Sequence, residues 1–189
     1  QWKEHGGWHH LLNGADALWY YIAQAIIGQE MSWRKHAAWL KEGTDDIVNG
    51  CGQLVRDAQR VDSGVKILYS SENMAMGWLF AKRKDAWSAL RLTKGYPPSF
   101  LTFKTVFKDI LFTQPQFITF DDIEKGGLND CKLLILPAAL NMSDAVAAKI
   151  ADYVKNGGKV VADVIPATRR QLGKPRENSA LANVFGVDF

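Results

Sequence analysis

All four histidines of this 189-residue chain, His5, His9, His10 and His36, lie within its first 36 positions. A stretch that reads as a complete α/β unit begins near Val65, and it carries no histidine and a single cysteine, Cys131. A serine or cysteine nucleophile needs an adjacent base to activate it, and no imidazole is available there. Metal chemistry has no footing either. Cys51 and Cys131 stand far apart, match no ligand spacing and form no disulfide framework, and both read as small core residues. Carboxylates are what remains. Glu72 follows the first strand of the α/β unit and Asp163 lies in the last. As a convergent pair they could do acid–base work; without a partner, Asp163 reads as a loop anchor or cap.

The elements that would position these groups follow from periodicity. Val65–Tyr69, Phe117–Phe120, Leu133–Pro137 and Val160–Val164 read as four strands. Between them lie three helical stretches. Met74–Leu92 offers Trp78, Trp87 and Leu90 to a core and is stopped by Tyr96-Pro97-Pro98. The second starts at Ser99 or Thr102, with Phe103, Val106, Phe107, Ile110 and Leu111 on its buried face. The third is capped by Ser143, carries Val146, Ala147, Ile150 and Val154, and ends at Gly157-Gly158. Strands separated by helices imply right-handed crossovers and a doubly wound parallel sheet. Ahead of a polar linker, Val61-Asp62-Ser63-Gly64, the chain has a different character. Five of seven tryptophans fall in the first 39 residues. Residues 7–13 look helical, 17–22 suit a buried strand and 31–41 a second helix. A third, capped by Thr44, aligns Ile47, Val48, Cys51, Leu54, Val55 and Ala58. The boundary is expected at residues 62/63.

Ligands of such sheets bind beyond the carboxyl ends of the strands. The loop Ser70-Ser71-Glu72-Asn73 has no glycine and a glutamate that would repel phosphate. No G-x-G-x-x-G follows a strand, so neither flavin nor dinucleotide is expected and no cofactor is assigned. The loop after the third strand offers no ionisable group. The helix–Gly-Gly–strand lead-in to Asp163 and Val164 is the one a class I glutamine amidotransferase uses for its cysteine nucleophile. Here Asp163 and Val164 stand where that cysteine would be.

The net charge of +3 is too small to argue for nucleic acid or an anionic membrane surface, and no run of about 18 apolar residues would span a bilayer. Lys82-Arg83-Lys84 and Arg169-Arg170 read as solvated clusters. Composition is that of a soluble globular protein, 47% hydrophobic and 23% charged, and it leaves cytoplasm, periplasm and secretion open. The first residue is Gln1, without signal peptide or initiator Met, and the last is Phe189. A piece of a longer protein is expected.

Three runs carry a resemblance: Val65-Lys66-Ile67-Leu68-Tyr69-Ser70, GLNDCKLLILP at 127–137 and ADYVKNGGKVVA at 151–162, with Phe185-Gly186-Val187 at the close. Together they resemble the middle, or trimerisation, domain of family 42 beta-galactosidases. The resemblance implies a flavodoxin-like, class I glutamine amidotransferase-like fold without the amidotransferase triad over residues 63–189. Trp8 to Tyr20, with Gly14-Ala15-Asp16, is similar to the last helix and eighth strand of that family's (β/α)8 barrel. Residues 1–62 are then the end of the barrel. The barrel's catalytic carboxylates would lie on earlier strands, so no catalytic residue is assigned. The resemblance implies that His36 is the counterpart of the family's substrate-pocket histidine, although Trp33 stands where the family has Glu. Trp19, Tyr20 and Tyr21, at the end of the barrel strand, would face carbohydrate or simply fill the barrel.

Two functions stay open. One is a non-catalytic accessory and oligomerisation domain of a glycoside hydrolase, a homotrimer by the resemblance. The other is a small-molecule, sugar-binding α/β domain using the loops after strands one and four. A hydrolase using the Glu72–Asp163 pair is the weaker third.

Overall fold

The computed structural model describes residues 7, 8, 10–12, 14, 15, 17, 26–59, 61–80, 96–111 and 113–187; for residues 78, 80 and 96 only the backbone is described. Two compact units divide the chain, residues 1–60 and 61–189. In the first, Lys35–Asp46 forms helix α1, a π-turn follows over Ile47–Cys51, and Gly52–Asp57 forms α2. Thr44 does not cap a new helix as expected. It lies inside α1, where its hydroxyl donates to the Leu40 carbonyl at 2.7 Å, a bond that satisfies the side chain without ending the helix. The break comes instead at Gly50, whose φ of 131° is open to glycine and to almost nothing else. These three segments contain no buried residue. Val48 is 80% and Leu54 75% exposed, and Cys51 is exposed as well, so the expected core stripe faces solvent. Residues 17–22, read as a strand, lie largely outside the described residues.

The second unit is built on a four-stranded parallel sheet. Its strands are β1 (Val65–Leu68), β2 (Gln116–Ile118), β3 (Leu133–Leu136) and β4 (Lys159–Ala162), in the order β2-β1-β3-β4. The chain moves outward from β1 to β2, then crosses back to β3 on the other side of β1. The register places Leu68 beside Ile118 and Leu134 beside Val160. On that face Leu68, Ile118, Leu134 and Leu136 meet Ile123, Val146, Ile150 and Leu181 in one fully buried cluster. Helix α3 spans Ser71–Phe80 and α4 spans Tyr96–Thr105, running on into a π-turn, Val106–Ile110. Pro97 and Pro98 thus open α4; the end of the helical stretch expected before them lies outside the described residues. The first turn is where proline is tolerated, because its missing N–H would have had no partner. Ile110 and Leu111, expected in the core, are 62% and 56% exposed. Trp87 and Leu90, and the side chain of Trp78, lie outside the described residues.

Helix α5 (Phe120–Glu124) starts at a reciprocal cap. Asp122 N–H donates to Thr119 Oγ1 at 3.2 Å and Thr119 N–H to Asp122 Oδ2 at 2.9 Å. Helix α6 (Asp144–Lys155) starts at Ser143, whose Oγ accepts from Val146 N–H at 3.0 Å, and it buries Val146, Ala147 and Ile150. Helix α7 is Ala182–Phe185. Loss of the Ser143 cap strands one helix-terminal N–H. Ser143→Ala should lower the stability of the 61–189 unit by about 1 kcal/mol, and Ser143→Asp by much less, in urea titrations followed by circular dichroism.

A cap and an ion pair also set a pH response. The Asp122 carboxyl is held below its ordinary value by the Thr119 hydroxyl and then the Thr119 N–H. The Asp144 carboxyl is held low by its hydrogen bond to Arg176, then by the charges of Arg176 and Arg170. Both folded values are depressed, so as pH falls the unfolded chain takes up these protons first. Their contribution is complete above the unfolded value near 3.8 and is lost as pH falls through the lower folded values. Melting temperature should therefore drop below about pH 4, and the double variant Asp122→Asn, Asp144→Asn should flatten that drop.

Candidate functional site

The crevice where the chain reverses direction, between β1 and β3, is where a sheet of this kind would hold a ligand. Three side chains fill it: Ser70 after β1, Asn73 in the first turn of α3 and Asn141 after β3. They are 2%, 3% and 3% exposed. Asn73 Oδ1 accepts from Asn141 N–H at 2.8 Å and from Asn141 Nδ2 at 3.1 Å. Asn73 Nδ2 donates to the Asn141 carbonyl at 2.9 Å and to Ser70 Oγ at 2.9 Å. Ser70 Oγ also accepts from Asn73 N–H, closing the start of α3. The two strand-end loops are thus stitched together by amides. Asn141 Oδ1 is the one buried side-chain oxygen of the group left without a partner.

The carboxylates do not serve as a pair. Glu72 Oε1 accepts from Leu172 N–H at 3.1 Å. Asp163 Oδ1 accepts from Ala138 N–H at 2.7 Å, and its Oδ2 from the Ser99 hydroxyl. Each oxygen that Asp163 presents is taken by a structural donor from a different element. Its position is the loop just past β4, since the strand ends at Ala162 rather than at Val164. Ala138 is held at φ 35°, in the left-handed region that a residue with a Cβ seldom adopts. Its N–H is held by Asp163 and its carbonyl accepts from Leu140 N–H at 2.8 Å. Val164 is 42% exposed and lines a cavity of about 290 Å³ with Ile165, Pro166, Phe185 and Val187. That lining is apolar apart from Asp163, unlike the polar concavity expected of a sugar site.

A larger cavity, about 670 Å³, opens at the other end of the sheet, between the segment after α5 and the last turns of α6. Lys132, Lys149 and Lys159 border it, but so do Asp152 and the carbonyl end of α6, whose partial negative charge opposes an anion. Cys131 and Tyr153 also line it. Burial pushes the Cys131 thiol up, so it is no ready thiolate. Burial, with the Cys131 neighbour, pushes Tyr153 up to about 12. Its phenol accepts from Lys159 N–H at 3.2 Å and serves as a structural bolt between α6 and β4.

His36 is exposed and packs edge-on against Trp39, with ring centroids 5.1 Å apart. Trp19, Tyr20 and Tyr21 lie outside the described residues. Among the described residues no group of three or more His, Cys, Asp or Glu could hold a metal ion, and no helix is long and apolar enough to cross a membrane. The Asn73–Asn141 stitch was not legible in advance, since the two residues stand far apart in sequence and neither belongs to a motif.

No family model matches this sequence, and no curated protein does. Solved structures match by fold. A beta-galactosidase from Bifidobacterium adolescentis superposes with a TM-score of 0.50 at 18% identity, over 68% of this chain and 55% of its own. Gan42B, a GH42 beta-galactosidase, gives 0.57 at 19% identity, over 80% of this chain and 20% of its own. A catalytic mutant of Gan42B from G. stearothermophilus gives 0.67 at 18% identity, over 93% of this chain and 26% of its own. The chain therefore spans about half the length of the first of these proteins and about a quarter or less of the others. A match over 93% of 189 residues leaves about 13 outside it, so it reaches into both units. At these identities the likeness is one of fold: this chain has the α/β fold of a segment of GH42 beta-galactosidases.

Proposed function

We propose that this chain is part of a glycoside hydrolase of the family 42 beta-galactosidase type, and that residues 63–189 are its non-catalytic accessory domain, acting in oligomerisation. Residues 1–62 are then the end of the catalytic barrel, with Trp19, Tyr20, Tyr21 and His36 the residues that would meet carbohydrate. The same reading gives the domain a flavodoxin-like, amidotransferase-like descent in which Asp163 and Val164 replace the nucleophile turn, and a homotrimeric assembly.

The observation that carries this reading is the fold likeness that reaches into both units. The crevice agrees with it, because Ser70, Asn73 and Asn141 fill the place of a ligand with their own hydrogen bonds. The exposed apolar stripe of Val48, Cys51 and Leu54 also agrees, since a helix face of this kind is normally covered by a neighbouring layer.

The test is to purify the chain, assay it against an aryl beta-galactoside and measure its mass by sedimentation velocity. The expected result is no turnover above buffer and a species three times the 21.1 kDa chain. Turnover abolished by Asp163→Asn, or a chain that stays monomeric, overturns the reading.

A further inference from the structure

After β4 the chain makes a short hairpin over residues 168–176. Arg176 N–H donates to the Thr168 carbonyl at 3.0 Å, and Arg170 N–H to the Lys174 carbonyl at 2.8 Å. Its tip is a tight turn with Leu172 at φ 60°, ψ 21° and Gly173 at φ 79°. The turn closes where Gly173 N–H donates to the Arg170 carbonyl at 3.1 Å, which puts Leu172 at its third position, and a positive φ there favours glycine or asparagine. This chain has leucine there, and the leucine is 85% exposed. For folding alone that choice is unfavourable twice, in backbone strain and in apolar surface left in water. The tip is nonetheless firmly held. Leu172 N–H is bound by Glu72, Arg169 Nη1 donates to the Gly173 carbonyl at 3.1 Å, and Arg170 pairs with Asp144 at 2.8 Å. The chain's own bonds hold the backbone of the tip but leave the leucine side chain in water.

The same domain carries a receptacle of matching chemistry. The cavity of about 290 Å³ at the end of β4 is walled by Val164, Ile165, Pro166, Phe185 and Val187, with the Asp163 carboxylate among them. The Leu172 tip is apolar and is followed two residues on by the exposed cation Lys174, Arg170 being paired with Asp144. Apolar meets apolar, and Lys174 meets a carboxylate whose own hydrogen bonds come from neutral donors. Tip and cavity are different patches of one surface, so a contact between them is head-to-tail, the kind that forms a ring when the rotation between copies closes and a filament when it does not.

We propose that Leu172 is an intermolecular anchor that seats in the β4-end cavity of a second copy of this chain. The proposal rests on the oligomerisation reading above and names the contact that would carry it.

Sedimentation velocity over a concentration series tests it on the full chain with two variants. Leu172→Asn suits the left-handed turn, so its melting temperature should equal or exceed that of the wild type. Its self-association should weaken at least tenfold, the cost of losing one buried leucine. Val164→Lys puts a cation in the cavity wall and should weaken association likewise, with an unchanged circular dichroism spectrum. Mixing the two variants should restore one intact contact, Leu172 of the Val164→Lys chain in the cavity of the Leu172→Asn chain, and yield a heterodimer. Should wild type associate and Leu172→Asn associate as tightly, the anchor is wrong while the oligomerisation reading stands. If both variants are impaired but the mixture stays monomeric, the pairing of tip with cavity is wrong. A wild type that is monomeric throughout the series removes both.

Discussion

Asn73→Ala should lower the unfolding free energy of the 61–189 unit by about 3 kcal/mol, a large share of the 5–15 kcal/mol typical of a domain. The figure follows from what the truncation strands. Asn141 N–H and Asn141 Nδ2 lose their acceptor, and the Asn141 carbonyl loses a donor, all in a region where the residues are 3% exposed. A buried polar group left unpaired costs about 1–3 kcal/mol. The sum of three would exceed the estimate, but the amide vacates room for a water that can re-pair part of the set. In urea titrations the midpoint should shift by about 1.5 M, taking a slope of roughly 2 kcal/mol/M, with the slope itself unchanged. Asn73→Asp discriminates further. It keeps the acceptor for Asn141 N–H but replaces the donor by a second carboxylate oxygen facing the Asn141 carbonyl. It should rank with the alanine variant or below it, since it also buries a charge. A shift under about 0.5 M for Asn73→Ala would mean that water replaces the amide almost fully. The crevice would then be a solvated pocket available to ligands rather than a filled one.

How far the sequence carried depended on whether a feature was local. The strands were legible because Leu133–Leu136 is apolar on both faces, as central parallel strands must be, and Val65–Leu68 departs from that only at Lys66, whose Nζ donates to the Gly127 carbonyl. The cap at Ser143 was legible for the same reason, as a hydroxyl three residues ahead of the N–H it binds. Element ends were less so. Thr119 reads as a strand residue by its β-branched side chain, yet it caps α5, because Asp122 offers its N–H a reciprocal partner. Pro97 and Pro98 read as a stop, although proline is equally at home in a first turn. Whether α1 and α2 bury their apolar stripe depends on what covers them, which no periodicity encodes. The site was least legible. Asn73 and Asn141 are 68 positions apart and become partners only once the strand order puts β1 beside β3. Leu172-Gly173 carried a signal that the sequence reading left unused: a glycine two residues ahead of Pro175, after the last strand, marks a turn.

The second large effect is expected at Asp163, and it separates a tie from a catalyst. Asp163→Ala removes the acceptor for Ala138 N–H and for the Ser99 hydroxyl, so the loop after β3 and the first turn of α4 lose their common anchor. Ala138 sits at φ 35°, a conformation whose cost of about 1–2 kcal/mol persists only while its surroundings impose it. Released, the loop can relax toward ordinary backbone, which offsets part of the lost bond to a 6% exposed residue. The expected net loss is about 2 kcal/mol, less than for Asn73 because Asp163 itself is exposed and water can replace it. Asp163→Asn should cost well under half of that. Its carbonyl oxygen can still accept from Ala138 N–H, and the Ser99 hydroxyl can turn to accept from the new amide. A base would show no such order, with asparagine as damaging to turnover as alanine. Hydrogen exchange at Ala138 N–H gives the direct readout, protected in wild type and Asp163→Asn and unprotected in Asp163→Ala. If that amide stays protected in Asp163→Ala, the restraint on Ala138 comes from its own loop, and Asp163 is not what ties β4 to β3.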